Sequence, residues 1–114
     1  MTKPTELPDF DTLRAQLEHA LDAKDAARII ETLRVADVED TARLIDRLSS
    51  DERNELFSLL SAEQSAEVLG HVYYIQGAHI IKGMSPDAAA PILAEMDSDD
   101  RADLLNELKE NRSE

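Results

Sequence analysis

The sequence contains no cysteine and no tryptophan, and only two tyrosines and two phenylalanines. Without cysteine, a disulfide framework, a thiolate metal site and a cysteine nucleophile are all excluded. With so few aromatic rings, any core has to be aliphatic. Glycine and proline number only three and four, and runs of β-branched residues are absent, which favours helix over sheet. No apolar stretch approaches the roughly 20 residues that a membrane-spanning helix needs. The opening residues, Met1-Thr2-Lys3-Pro4-Thr5-Glu6, lack the apolar core of a secretion signal. The chain therefore reads as soluble and cytoplasmic, without direct membrane insertion.

Positive charge is the other shortage. Twelve Lys and Arg face twenty-five Asp and Glu, a net charge of −13. Phosphate backbones and anionic lipids would repel such a surface, which excludes nucleic acid as a partner. Cations, basic protein surfaces or plain solubility are left as reasons for the acids. A hydrophobic fraction of 42% over 114 residues suffices for one folded domain.

What is present is a repeat: an adjacent apolar pair, two arbitrary residues, and a third apolar residue. It runs through Leu44-Ile45 and Leu48, Leu56-Phe57 and Leu60, Val68-Leu69 and Val72, and Ile80-Ile81 and Met84. Ile92-Leu93 with Met96 and Leu104-Leu105 with Leu108 complete it, each pair twelve residues after the last. Upstream, Ile29-Ile30 with Leu33 fits the same pattern only if three residues are inserted before Leu44. Leu17 and Leu21 form a degenerate first unit. A small residue stands two positions before seven of the eight units, at Ala15, Ala27, Ala42, Ala66, Ala78, Ala90 and Ala102. Asn54 breaks that rule.

On a helix these apolar positions form a stripe of about 100°, the width of a core-facing surface. Twelve residues cannot hold two helices, so each unit is expected to be one helix of about eight residues and a tight turn. Ser49 with Glu52, and Ser61 with Gln64, have capping-box spacing. Ser85-Pro86 places a cap before proline at the first helical position, and Asp97-Ser98-Asp99-Asp100 places acids in a first turn. Short helices are marginal alone, so the expected fold is all-α, a compact right-handed superhelix (an α-solenoid) of short helices stepping every twelve residues. Two irregularities interrupt it. Pro91 sits inside its unit, where it removes the hydrogen bond to Asp87 and should kink the helix. Val72-Tyr73-Tyr74-Ile75 replaces a polar turn with an apolar one, expected to plug the junction between adjacent helices. Residues 1–8 read as a loose leader, 9–110 as the repeat domain, and 111–114 as a polar tail or the start of a linker.

No catalytic constellation is visible, and an enzyme is not expected. His19, His71 and His79 lie outside metal-ligand spacing, and Gly70, Gly77 and Gly83 do not form a phosphate loop. The serines are explained by capping. The acids in first turns, Asp51-Glu52, Glu63, Asp87 and Asp99-Asp100, are explained singly by the helix dipole. Density sets residues 85–108 apart: Asp87, Glu95, Asp97, Asp99, Asp100, Asp103 and Glu107 stand against Arg101 alone. Asp99 and Asp103 are four apart, on one helical face, where like charges cost a few tenths of a kcal/mol. Bound cations would relieve that cost, and oxygen-only ligands suit magnesium or calcium, held weakly and through water.

Several runs carry a family resemblance. Ala36-Asp37-Val38, Leu44-Ile45-Asp46-Arg47-Leu48, Ser50-Asp51-Glu52-Arg53 and Ala66-Glu67-Val68-Leu69 resemble the N-terminal domain of MgtE magnesium transporters. The most specific is Glu95-Met96-Asp97-Ser98-Asp99-Asp100-Arg101-Ala102-Asp103-Leu104-Leu105. The resemblance spans about residues 10–110 and implies an α-superhelical cytoplasmic regulatory domain, followed in the family by CBS domains, a connecting helix and a membrane pore. It implies weak, regulatory Mg2+, with Ca2+ or Mn2+ able to replace it, favouring the closed state. The metal contacts it implies are Asp99 and Asp103 first, then Asp97 and Asp100. The implied partners are the CBS domains and connecting helix of the same transporter, and the domain alone is expected to be monomeric. Val35 stands where the family commonly has proline, and Tyr73-Tyr74 replaces an acidic turn. The alternative is a protein-binding solenoid like the middle domain of the flagellar switch protein FliG, without a metal role; the Glu-His-Pro-Gln signature of that group is absent.

Overall fold

A computed structural model describes the backbone of residues 8–112 and the side chains of residues 8–109. Apart from Pro8, the expected leader lies outside these residues, as do positions 113 and 114 of the tail. Eight helices follow one another: α1 (Phe10–Asp22), α2 (Ala26–Val35), α3 (Val38–Asp46), α4 (Ser50–Leu59), α5 (Ala62–Leu69), α6 (Tyr74–Lys82), α7 (Pro86–Glu95) and α8 (Ser98–Arg112). There is no strand among the described residues. From α2 to α8 the helices start at positions 26, 38, 50, 62, 74, 86 and 98. The last helix is the longest, at 15 residues.

Local chemistry sets these boundaries. Asp9, Asp25 and Asp37 accept hydrogen bonds from the backbone amides of Thr12, Arg28 and Asp40. Both expected capping boxes are formed, at Ser49 with Glu52 and at Ser61 with Gln64. Ser85 caps α7 through the Ala88 amide, with Pro86 at the first helical position. Each such cap contributes about 1 kcal/mol. Only α6 departs among α1–α7: Tyr73 at its N-cap offers no side-chain hydrogen bond. Pro91 is carried within a helix that runs unbroken from Pro86 to Glu95. The bond it cannot make is to Asp87, which lies in the first turn, so the loss falls near the helix end.

The three-residue insertion is absent from the fold. Counted from the start of α2, the positions that hold Leu44-Ile45 in α3 are Thr32 and Leu33, and that of Leu48 is Ala36. All three are buried. Ile29-Ile30 is a further buried pair one turn earlier. A hydrophobic search misses Thr32 because it is polar, but its hydroxyl donates to the Arg28 carbonyl at 2.8 Å, which lets it occupy an apolar position.

The aliphatic stripes form one core containing Leu17, Ile29, Leu44, Leu56, Leu69, Ile80, Ile92 and Leu104, among others. It fades at the C-terminal end, where Leu105 is exposed. Turns of two to four residues leave little slack for hairpins. The main packing partners are α1 with α2, α5 with α7 and α6 with α8, with smaller contacts between α1 and α4 and between α2 and α5. The molecule is elongated rather than compact, with extents of 53 × 25 × 24 Å. Of the repeated alanines, Ala42, Ala66 and Ala78 are buried at contacts, whereas Ala15, Ala27, Ala90 and Ala102 are exposed. The role expected for the small residue therefore holds only in the middle of the array.

Polar links tie distant helices. Arg34 of α2 makes two hydrogen bonds to Glu67 of α5, at 2.6 and 2.9 Å. Lys24 reaches Glu55 at 2.7 Å, and the His71 Nε2 lies 2.8 Å from the Ala36 carbonyl oxygen. The Arg43 and Arg47 guanidinium groups sit 4.1 and 5.3 Å from the Phe10 ring centre, an attraction of about 0.5–1 kcal/mol each at an exposed site. No helix among the described residues is long and apolar enough to cross a membrane.

Gly77 is the tightest point of the α6–α8 contact: a Cβ there would lie 2.9 Å from Leu104 Cδ1. Gly77→Ala gains about 1 kcal/mol of helix propensity but overpacks the seam at about 1–3 kcal/mol. Urea unfolding should show a net loss of up to about 2 kcal/mol, and Leu104→Val should cost less in that background than in the parent. Strictly additive effects would mean that Gly77 does not seat α8.

Candidate functional site

Where α5 meets the α7–α8 turn, a groove of about 300 Å³ is lined by Glu63, Glu67, Glu95, Asp97 and Asp100, with Ala66, Gly70 and Met96. The fold brings these acids together from three helices. Glu63 and Glu67 are one turn apart on α5, Glu95 ends α7, Asp97 precedes α8, and Asp100 lies in its first turn. Gly70 is the floor beside Asp100: a Cβ on it would stand 3.1 Å from Asp100 Oδ2. Gly70 has an ordinary helical φ of −76°, so it is the space, not the backbone conformation, that a side chain would take away.

Basic side chains compensate this groove incompletely. Arg34 pairs with Glu67 and holds its carboxyl below the usual range, through the hydrogen bond first and charge second, against a desolvation that raises it. Arg101, the lone cation of the acidic segment, donates to the Leu93 carbonyl at 3.3 Å.

The four expected metal contacts are divided. Asp97 and Asp100 line the groove, Asp103 stands beside Tyr74, and Asp99 is exposed outside it. The Tyr74 hydroxyl donates to Asp100 Oδ1 at 3.3 Å. Its pKa is raised, most by hydrogen bonding to Asp103, then by desolvation and by the charges of Asp103 and Asp100. Tyr73, Tyr74 and Ile75, expected to plug a junction, are instead 55%, 40% and 68% exposed, and only Val72 of that run is buried. Tyr73, at the N-cap of α6, makes no side-chain capping hydrogen bond. Glu63, Glu67 and Gly70 were not singled out as site residues from the sequence. Their common signal is the helix step, which returns the end of α5 beside the start of α8.

The donor chemistry fits a hard cation of the magnesium class, since the groove offers carboxylate oxygens. The geometry supplies one wall rather than a cage: no three Asp, Glu, His or Cys residues among the described residues are grouped closely enough to hold a metal ion. An ion here would keep much of its water or take further ligands from a facing surface.

Comparison with known proteins agrees with the fold. The family model for the MgtE intracellular N domain matches residues 36–114, starting later than the resemblance read from the sequence. The soluble part of a magnesium transporter, known from its crystal structure, superposes with a TM-score of 0.70 at 22% identity, over 91% of this chain and 41% of that one. The cytosolic domain of the Mg2+ channel MgtE, crystallised in complex with ATP, gives a TM-score of 0.63 at 30% identity, over 85% of this chain and 39% of that one. This chain thus spans about two fifths of either structure. No curated protein matches it by sequence.

With Tyr73→Phe as background, Tyr74 is the sole tyrosine and its ionisation can be followed by ultraviolet absorbance. It should titrate above 10.0, and Asp103→Asn should bring it down. The sign follows from the raised folded value: its contribution to stability is present below 10.0 and disappears as pH rises through the folded pKa. A titration indifferent to Asp103 would remove that carboxylate from the neighbourhood of the phenol.

Proposed function

Because the chain belongs to the MgtE intracellular N domain family, we propose that it is the cytoplasmic regulatory domain of a magnesium transporter, non-catalytic, that senses intracellular Mg2+ and favours the closed state. Its helical array, in our proposal a right-handed superhelix stepping twelve residues per helix, presents the acidic groove to a facing domain. The observation that carries this function is the convergence of Glu63, Glu67, Glu95, Asp97 and Asp100 on one groove with few basic neighbours.

The physical means is population shift. Carboxylates brought against another acidic surface repel each other, and a cation between them reverses the sign of that interaction. The ion then binds the closed arrangement better than the open one, and its loss releases the domain. Asp97 and Asp100 would hold it within the groove, and Asp99 and Asp103 along the outer side of α8. The resulting affinity is weak because each side supplies part of the ligand set, and Ca2+ or Mn2+ could substitute. The facing surface would be the CBS domains and connecting helix of the same transporter, with this domain alone a monomer.

Thermal melting of the chain with increasing Mg2+ tests this function, alone and mixed with the CBS-containing remainder. At a free concentration 100 times the dissociation constant, stability should rise by about 2.7 kcal/mol. Loss of the rise in Asp97→Asn/Asp100→Asn would locate the ion in the groove, and loss in Asp99→Asn/Asp103→Asn would locate it on the outer side. If Mg2+ changes neither stability nor association with the remainder, the sensing role fails.

A second function, protein binding by a FliG-like solenoid without metal, is favoured by one observation. The exposed Tyr73 and Ile75 border a groove of about 630 Å³ between α3 and α6, a surface of the kind that receives partner helices. Association with a partner that is independent of Mg2+ and lost in Ile75→Asp would support it.

A further inference from the structure

Of the helices three steps apart, α1 packs on α4 and α2 on α5, but α3 and α6 make less contact. The groove between them is bridged by Gln76, whose Nε2 donates to the Ala42 carbonyl at 2.8 Å and to Asp46 Oδ1 at 3.2 Å. Its α6 wall carries Tyr73 and Ile75, the two most exposed large apolar side chains among the described residues. Tyr74, between them, turns away to Asp100 and Asp103. The α3 wall carries Glu39 and Asp46, both exposed and seven residues apart. That spacing sets them on one face of the helix, about 10 Å apart along its axis. Neither forms an ion pair among the described residues, because Arg43, which stands between them, is held by Asp40 at 3.6 Å and by the Phe10 ring. Asp46 also ends α3, where the helix dipole disfavours an acid.

We propose that this groove docks a short amphipathic helix of a partner protein, with Lys or Arg residues seven positions apart beside an apolar face. The apolar face covers Tyr73 and Ile75, and the two cations, two helical turns apart, meet Glu39 and Asp46. The net charge of −13 draws a basic segment in and repels an acidic one. A second copy of this chain does not match: it bears the same charge, and no two of its Lys or Arg residues are seven apart. This docking rests on the protein-binding function above and gives its partner a chemistry. No residue of the α3–α6 groove lines the acidic groove, so it does not require Mg2+.

The test is fluorescence anisotropy of the full chain with three labelled helical peptides of about 14 residues, roughly four turns. All share one leucine face and differ only at two flanking positions seven apart, which hold Lys, Gln or Glu. The Lys peptide should bind saturably and most tightly and the Glu peptide least, with the Lys affinity falling as salt rises. Glu39→Gln/Asp46→Asn should weaken the Lys peptide about fivefold, the worth of two exposed ion pairs, and leave the Gln peptide unchanged. Glu39→Lys/Asp46→Lys should shift the preference to the Glu peptide, and Ile75→Asp should abolish binding of all three with the helical spectrum intact. Equal binding of the three peptides overturns the basic partner but leaves helix binding standing, whereas binding by none removes both. Self-association lost in Ile75→Asp, or displacement of the Lys peptide by the CBS-containing remainder, would give the groove another occupant and overturn the proposal.

Discussion

Everything in this molecule depends on the inability of an eight- to ten-residue helix to stand alone. Six of the helices, α2 to α7, are of that length, too short for their own hydrogen bonds to overcome the cost of nucleation. Each is held by an aliphatic stripe pressed on others and, in all but α6, by a side-chain cap at its first turn. With two to four residues between helices, α5 finds its main partner in α7 and α6 in α8, while α1 and α2 pack as neighbours. The turn length and the spacing of the apolar pairs are therefore one constraint seen twice. The ion pairs and cation–π contacts add to this frame without setting it, because surface pairs contribute little in water.

This constraint explains what could be read from the sequence. The pairs from Leu44-Ile45 to Leu104-Leu105, the capping boxes at Ser49 and Ser61, and the number of helices were legible because each rests on local spacing. The register of α2 was not, since Thr32 hides its place in the core behind a hydroxyl that bonds within its own helix. Nor was the outward turn of Tyr73, Tyr74 and Ile75: apolar character alone does not tell which side of a junction a residue faces. The candidate site was half legible. Asp97 and Asp100 stood out by local density, but Glu63 and Glu67 lie more than 30 positions away in sequence from Asp100, and only the packing of the helices brings them near. Gly70 could not be recognised at all, because its importance is a volume left empty.

The acidic groove and an apolar cavity between α4, α5 and α7 occupy opposite ends of α7. Glu95, at its last turn, faces the groove, while Asp87, Pro91 and Ile92 face the cavity. The family match and the shared fold agree on the MgtE intracellular N domain.

The packing of α7 on α5 and of α8 on α6, each two steps along the chain, has a mechanical consequence. Tension applied at the C-terminal end would not meet the whole core at once but would strip α8 from α6, then α7 from α5, each in turn. Such a rod yields like a zip rather than a clasp. A domain built this way can be drawn off a neighbouring surface from its tip while its base, where α1 packs on α2, stays folded.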